Sequence, residues 1–272
     1  DPAAALLAAL AVFAAGFLTR PLGGLIFGLY ADRVGRKKAL TLAMLITASG
    51  SVVIAFTPTF ASIGIFASLI LLVARLAQGI AHGGEMGTSV TYLVERAPRG
   101  RRALYGSTSW VSVVLGAMMA TITGLIINGS LERAEILDWG WRIPFLGSIF
   151  LLLISLYIRL QMEECPAFKH MKEEGTQSKA PLKEAFGQWK NAKIALIALF
   201  GLVAGQAVVW YSGQFYALFF INNVVKLDQF TSNVLVAWSL ILGTAGFVFF
   251  GSLSDKIGRK PIILAGCALA AL

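Results

Sequence analysis

Gly28-Leu-Tyr-Ala-Asp32-Arg-Val-Gly35-Arg36-Lys37 recurs downstream as Gly251-Ser-Leu-Ser-Asp255-Lys-Ile-Gly258-Arg259-Lys260, at a constant offset of 223. Gly, Asp, Gly, Arg and Lys hold the same places in both copies, and each copy joins one long apolar run to the next. The first Gly of each copy permits close packing between helices, and Gly35 and Gly258 suit a sharp turn. The Asp can act on a helix N-terminus or pair with an Arg. A duplicated turn at matching positions predicts two structural halves related by pseudo-symmetry, a common build for secondary transporters.

The runs around these turns set the fold class. The chain has 272 residues, 57% of them hydrophobic and 14% charged, with a mean hydropathy of +0.75. A soluble domain carries about 25% charged residues, so a water-covered enzyme or a nucleic-acid module is excluded. Crossing the bilayer takes about 20 apolar residues. Such runs lie at 4–30, 39–57, 64–94, 103–128, 143–160, 192–222 and 230–253, with a partial one from 261 onward. They lack strand alternation, so an all-α membrane protein is expected, with seven full spans and a truncated eighth. Pairs such as Gly24 and Gly28, or Gly79 and Gly83, let helix backbones approach closely.

Segments 32–38, 95–103, 159–193 and 254–261 hold 18 of the 23 Lys and Arg, and the alternate segments hold three. The positive-inside rule therefore puts the first set in the cytoplasm and accounts for the net charge of +9. The polar stretch 161–191 reads as a cytoplasmic linker between a first half-bundle at 1–160 and the start of a second at 192–272. Both ends lie in apolar sequence with no signal peptide in view, and an internal piece of a longer protein is expected. Cys165 and Cys267 give neither a disulfide framework nor metal spacing, and no cofactor motif is present.

The duplicated turn is similar to the signature loop of the major facilitator superfamily, found after the second and eighth helices. Further stretches resemble its metabolite:proton symporter family: Phe17-Leu-Thr-Arg20-Pro21-Leu-Gly23-Gly24, Arg75-Leu-Ala-Gln78-Gly79, Gly83-Gly84-Glu85 and Glu95-Arg-Ala-Pro98-x-Gly-Arg-Arg102. Trp139-Gly-Trp141-Arg142-Ile-Pro144-Phe145 and Glu163-Glu164-Cys165-Pro166-Ala-Phe168 complete the set. His82 and Met86 depart from the family, which usually has an apolar and an aromatic residue there. The resemblance implies a truncated helical bundle spanning helices two to eight and part of nine. It also implies proton-coupled symport of an organic acid or compatible solute in a bacterial inner membrane.

Arg20, Arg75 and Glu85 lie well inside spans, where an ionisable group costs about 2.5–3.5 kcal/mol and is a functional candidate by default. Arg75, Gln78, His82, Glu85 and Ser89 fall within about an 80° arc of one helix, a polar stripe that must face water or a polar partner. Arg20 and Glu85 share a depth near the midplane, so an Arg20–Glu85 pair is expected to be possible, leaving Arg75 for a carboxylate or for a proton-linked acid on another helix, which the resemblance implies is helix one. Glu85 is the first candidate for the coupled proton, because the resemblance covers it, and His82 the second. In the second half Gln206, Trp210, Gly213 and Gln214 share a face suited to a small polar solute. Asp32, Gly35, Arg36, Glu95 and Arg102, with Asp255, Gly258 and Arg259, form a candidate cytoplasmic gate by resemblance.

No phosphate loop or protease motif supports an ATP-driven pump or an enzyme. The reading is a secondary active transporter working by alternating access, a monomer in the bilayer that binds a small solute and protons but no nucleic acid. The alternatives are an antiporter or drug exporter of the same superfamily and a non-transporting sensor with a carrier fold.

Overall fold

The computed structural model describes residues 11–12, 14–176 and 180–270, whose regular elements are all helices, with no strand among them. Six stretches are long and apolar enough to cross a membrane: Arg36–Phe56, Ile65–Arg96, Arg102–Ser130, Gly140–Gln161, Trp189–Trp210 and Val234–Ile257. Each overlies a span expected from hydropathy. The first expected span, 4–30, lies partly outside the described residues; its described end carries α1 (Arg20–Val34, 15 residues). The partial eighth is the 12-residue helix Arg259–Ala270.

By contact the chain divides into two compact units. One holds the described residues of Asp1–Arg96 and Ala120–Ser178, the other those of Ala97–Met119 and Lys179–Leu272.

In the first unit α2 (Arg36–Phe56) and α3 (Ile65–Arg96) pack along each other, α1 packs on α3, and α5 (Ile143–Gln161) packs on α2. Phe27, Ala31, Ala39, Ala43 and Ala81 form a buried cluster of mostly small side chains. This suits helices that meet in lipid, where close van der Waals packing replaces the hydrophobic drive. One of the close approaches is at Gly83, where an added Cβ would collide with the Arg20 carbonyl of the neighbouring helix. A second cluster, Leu40, Tyr92, Cys165 and Phe168, lies where α6 (Pro166–Glu173) folds back onto the ends of α2 and α3. Tyr92 Oη donates to the Glu163 carbonyl at 2.8 Å and Arg96 donates to Tyr92 Oη at 2.8 Å, fastening that return.

The second unit holds the start of α4 (Arg102–Ser130), α7 (Pro181–Gly187), α8 (Trp189–Ile197), α9 (Ala204–Tyr211), α10 (Ala217–Asn223), α11 (Gln229–Ile257) and α12 (Arg259–Ala270). The stretch expected as one helix over 192–222 is interrupted by π-helical turns at Ala198–Val203 and Ser212–Tyr216. A π turn widens the i→i−4 ladder and rotates the phase of the residues beyond it. Gln206 and Trp210 therefore still share α9, but Gly213 and Gln214 lie in the next π turn, and the single face expected for all four does not carry through.

Gly83→Leu is expected to block the α1–α3 contact, since overpacking costs about 1–3 kcal/mol even where neighbours can shift. Monodisperse protein recovered in detergent and its midpoint of thermal unfolding should both fall relative to wild type, whereas Gly129→Leu, at a glycine with open space around it, should leave both near wild type.

Candidate functional site

The polar stripe of α3 is present, and its members have different partners. Arg75 Nη1 donates to Gln78 Oε1 at 3.3 Å, and Gln78 Nε2 donates to Ser51 Oγ at 3.1 Å and the Thr47 carbonyl at 3.4 Å on α2. His82 is exposed and feels the opposed charges of Arg20 and Glu85. Glu85 does not pair with Arg20. Its carboxylate accepts from Arg159 Nη2, and Arg159 Nη1 also donates to the Leu40 carbonyl. The reason is side-chain reach: α5 packs on α2, and the long Arg159 side chain passes Leu40 on α2 to meet α3.

The Arg20 guanidinium lies 3.9 Å from the Phe17 ring centroid, and its Nε is buried without a hydrogen-bond partner. Neither Arg20 nor Arg75 has a carboxylate partner among the described residues. Among the described residues, then, Arg75 is held by the Gln78 amide and Arg20 by the Phe17 ring, and neither joins an ion pair.

A second cluster gathers at the joint between α1 and α2. Arg36 is buried and pairs with Glu95 at 3.2 Å and Asp32 at 3.5 Å, while its Nη1 donates to the Ala31 carbonyl at 3.3 Å. Glu164, from the segment before α6, accepts the backbone N–H groups of Arg36 at 2.9 Å and Lys37 at 3.2 Å. A carboxylate here answers the positive end of α2, which has no side-chain cap of its own. Gly35 is required twice: its φ is +117°, and an added Cβ would collide with Glu164. Glu164 belongs to a stretch that carries the family resemblance, yet sequence reasoning gave it no role. Its signal was an α2 start lacking any capping side chain.

The repeat in the second unit solves a similar problem with a different residue. Asp255 accepts the N–H groups of Ala103 and Leu104 at 2.9 Å each, capping α4, and pairs with Arg259 at 3.1 Å. Gly251 lies where an added Cβ would meet Ser107 Oγ at 2.7 Å, and Gly258 again has a positive φ, +95°. The Asp255 side chain is 5% exposed and that of Asp32 51%. Arg102 is exposed and joins no ion pair among the described residues. Trp210 lies against Trp110 and Phe247, with ring centroids 5.6 and 6.3 Å away. Gln206 is exposed, and the side chain of Gln214 lies outside what the structure describes.

Cys165 is fully buried beside Glu95 in the first unit, and its thiol is pushed up to about 12, first by burial and then by a hydrogen bond to Glu95 and that residue's charge. Among the described residues no group of acidic, His or Cys side chains is arranged to hold a metal ion.

The sequence profile described as Major Facilitator Superfamily matches residues 3–272. The chain is 36% identical to the alpha-ketoglutarate permease of Escherichia coli (strain K12) over 96% of its own length and 59% of the permease. It is 33% identical to the citrate-proton symporter of Klebsiella pneumoniae over 98% of its length and 59% of the symporter. It is also 34% identical to the proline/betaine transporter of Escherichia coli (strain K12), over 98% of its length and 54% of the transporter. The chain therefore spans little more than half the length of these relatives. Among solved structures, the proton:xylose symporter XylE bound to 6-bromo-6-deoxy-D-glucose has a similar fold, with a TM-score of 0.73 at 18% identity over 96% of this chain and 62% of XylE.

A thiol held near 12 stays protonated at neutral pH, and the thiolate is the reactive form. Maleimide labelling of Cys165 in the whole protein, with Cys267 replaced by Ser, should be slow at pH 7 and speed up when Glu95→Gln loosens the cluster. Fast labelling of the parent at pH 7 would contradict the buried geometry.

Proposed function

Because the chain belongs to the major facilitator superfamily, we propose that the whole protein is a proton-coupled symporter that takes up a small organic acid or zwitterionic solute by alternating access. The observation that carries this reading is the pair of intramembrane arginines, Arg20 and Arg75, without carboxylate partners among the described residues. Such cations suit a ligand carboxylate, to which a guanidinium offers a two-pronged donor set. The solutes named for the similar permease, symporter and transporter all carry a carboxylate.

On this reading Arg20 and Arg75 receive the carboxylate, and Glu85 carries the coupled proton, with His82 beside it. A group that exchanges Arg159 for a proton changes the charge of the stripe by one unit, which links proton and anion occupancy. Gln206, Trp210 and Gln214 are further proposed solute contacts. The protein works as a monomer in the bacterial inner membrane, with half-bundles at 1–160 and from 192 onward. The linker 161–191 and both signature loops face the cytoplasm.

Asp32, Arg36, Glu95 and Glu164 form the proposed inner gate in the first half, and Asp255 with Arg259 in the second. Exposed pairs contribute only about 0–1 kcal/mol each, yet a gate needs to bias only a small gap between two states. Asp32, half-exposed where Asp255 holds two amides, is proposed to take backbone N–H groups in the same way in one state of the cycle.

The test is uptake by the whole protein in proteoliposomes under an imposed pH gradient, with 2-oxoglutarate, citrate, proline and betaine as probes. Uphill accumulation of one probe accompanied by proton entry is expected. Accumulation driven by proton exit, or none with any probe, contradicts symport. Glu85→Gln should keep solute exchange and lose proton-driven accumulation; undiminished uphill uptake would remove Glu85 from coupling. Asp32→Asn should slow turnover several-fold with little change in KM, and wild-type turnover at normal expression would count against the gate.

A further inference from the structure

We propose that Gln78 is a positioning residue that holds the Arg75 guanidinium ready for a carboxylate. It acts from α2, through Ser51 and the Thr47 carbonyl, and Gly50 provides the space it needs. The proposal rests on the reading of Arg75 as an anion-binding group.

The amide orientation is fixed by chemistry. Arg75 can only donate, so it must face Oε1; the Thr47 carbonyl can only accept, so it must face Nε2. Both amide N–H groups are then committed, to Ser51 Oγ at 3.1 Å and to Thr47 at 3.4 Å. Gln78 has no donor left for a solute, so it serves as a support and not as a solute contact. Arg75 spends one Nη1 hydrogen on the tether, and its Nε–Nη2 edge remains to grip a carboxylate with two parallel bonds. An untethered Arg side chain samples many rotamers, and each must be given up on binding. The tether removes part of that cost beforehand.

A second, independent feature lies across from the amide. A Cβ on Gly50 would come 2.7 Å from Gln78 Cγ and 3.1 Å from its Cδ and Nε2. Gly50 and Ser51, adjacent on α2, thus provide the hole and the acceptor for one side chain of α3. This pairing places Arg75 relative to α2 rather than by its own helix alone.

The test measures uptake kinetics of the whole protein in proteoliposomes with 2-oxoglutarate, citrate, proline and betaine, following whichever the wild type carries. Gln78→Leu and Gly50→Ala should each raise KM about tenfold while kcat stays within about twofold, the signature of a misplaced binding group. Arg75→Lys should raise KM by itself, and in that background neither change should add further, because residues acting through one group are non-additive. Additive effects, or a wild-type KM in Gln78→Leu when Arg75→Lys raises it, would overturn the positioning role and leave Arg75 as the anion site. A wild-type KM in Arg75→Lys would remove Arg75 from binding and the proposal with it. If Gln78→Leu fails to reach the membrane, Ser51→Ala removes a single oxygen; an unchanged KM there overturns the tether.

Discussion

Hydrocarbon offers no hydrogen bonds, and that constraint orders every polar side chain on α3. Glu85 meets it through Arg159, and Gln78 through Ser51 and Thr47 of α2. Arg75 on α3 bonds the Gln78 amide, and neither it nor Arg20 on α1 has a carboxylate partner among the described residues. Two uncompensated cations in lipid would cost roughly 5–7 kcal/mol together, comparable to the whole stability of a typical domain. On the proposed reading they face water or a solute carboxylate rather than lipid.

The two signature loops show what one sequence does in two surroundings. Gly251 presses on Ser107 and Asp255 is buried on the start of α4, whereas around Gly28 an added Cβ would meet nothing within 4 Å and Asp32 stays half-exposed. Among the described residues the two copies differ by a pair of backbone hydrogen bonds and one close helix contact. Glu164 caps the helix that follows the first turn, α2, whereas Asp255 of the second turn caps α4, a helix from another part of the chain.

Much of this was legible in one dimension. Six spans are readable from hydropathy alone, and the turns at Gly35 and Gly258 from glycine spacing. The tight α1–α3 approach at Gly83 was likewise visible as a pair of small residues. Arg159 was not legible, because it sits at the last turn of an apolar run and was counted with the loop charges, while its side chain reaches back to Glu85. Glu164 became a cap only when the linker folded back, a contact separated by 128 residues. The π turns around α9 leave no mark on an apolar average, so a constant helical phase misplaced Gly213 and Gln214. The stripe itself was readable; which of its members are paired, and with what, needed the packing of α2 and α5.

The most direct measurement is a cysteine scan of residues 70–90 in the whole protein, with Cys165 and Cys267 replaced, probed by a membrane-impermeant, water-soluble thiol reagent. Labelling concentrated at 75, 78, 82, 85 and 89, and slowed by a bound carboxylate solute, is the predicted result. Labelling absent from those positions, or spread over the opposite face at 73, 77 and 80, would contradict the account.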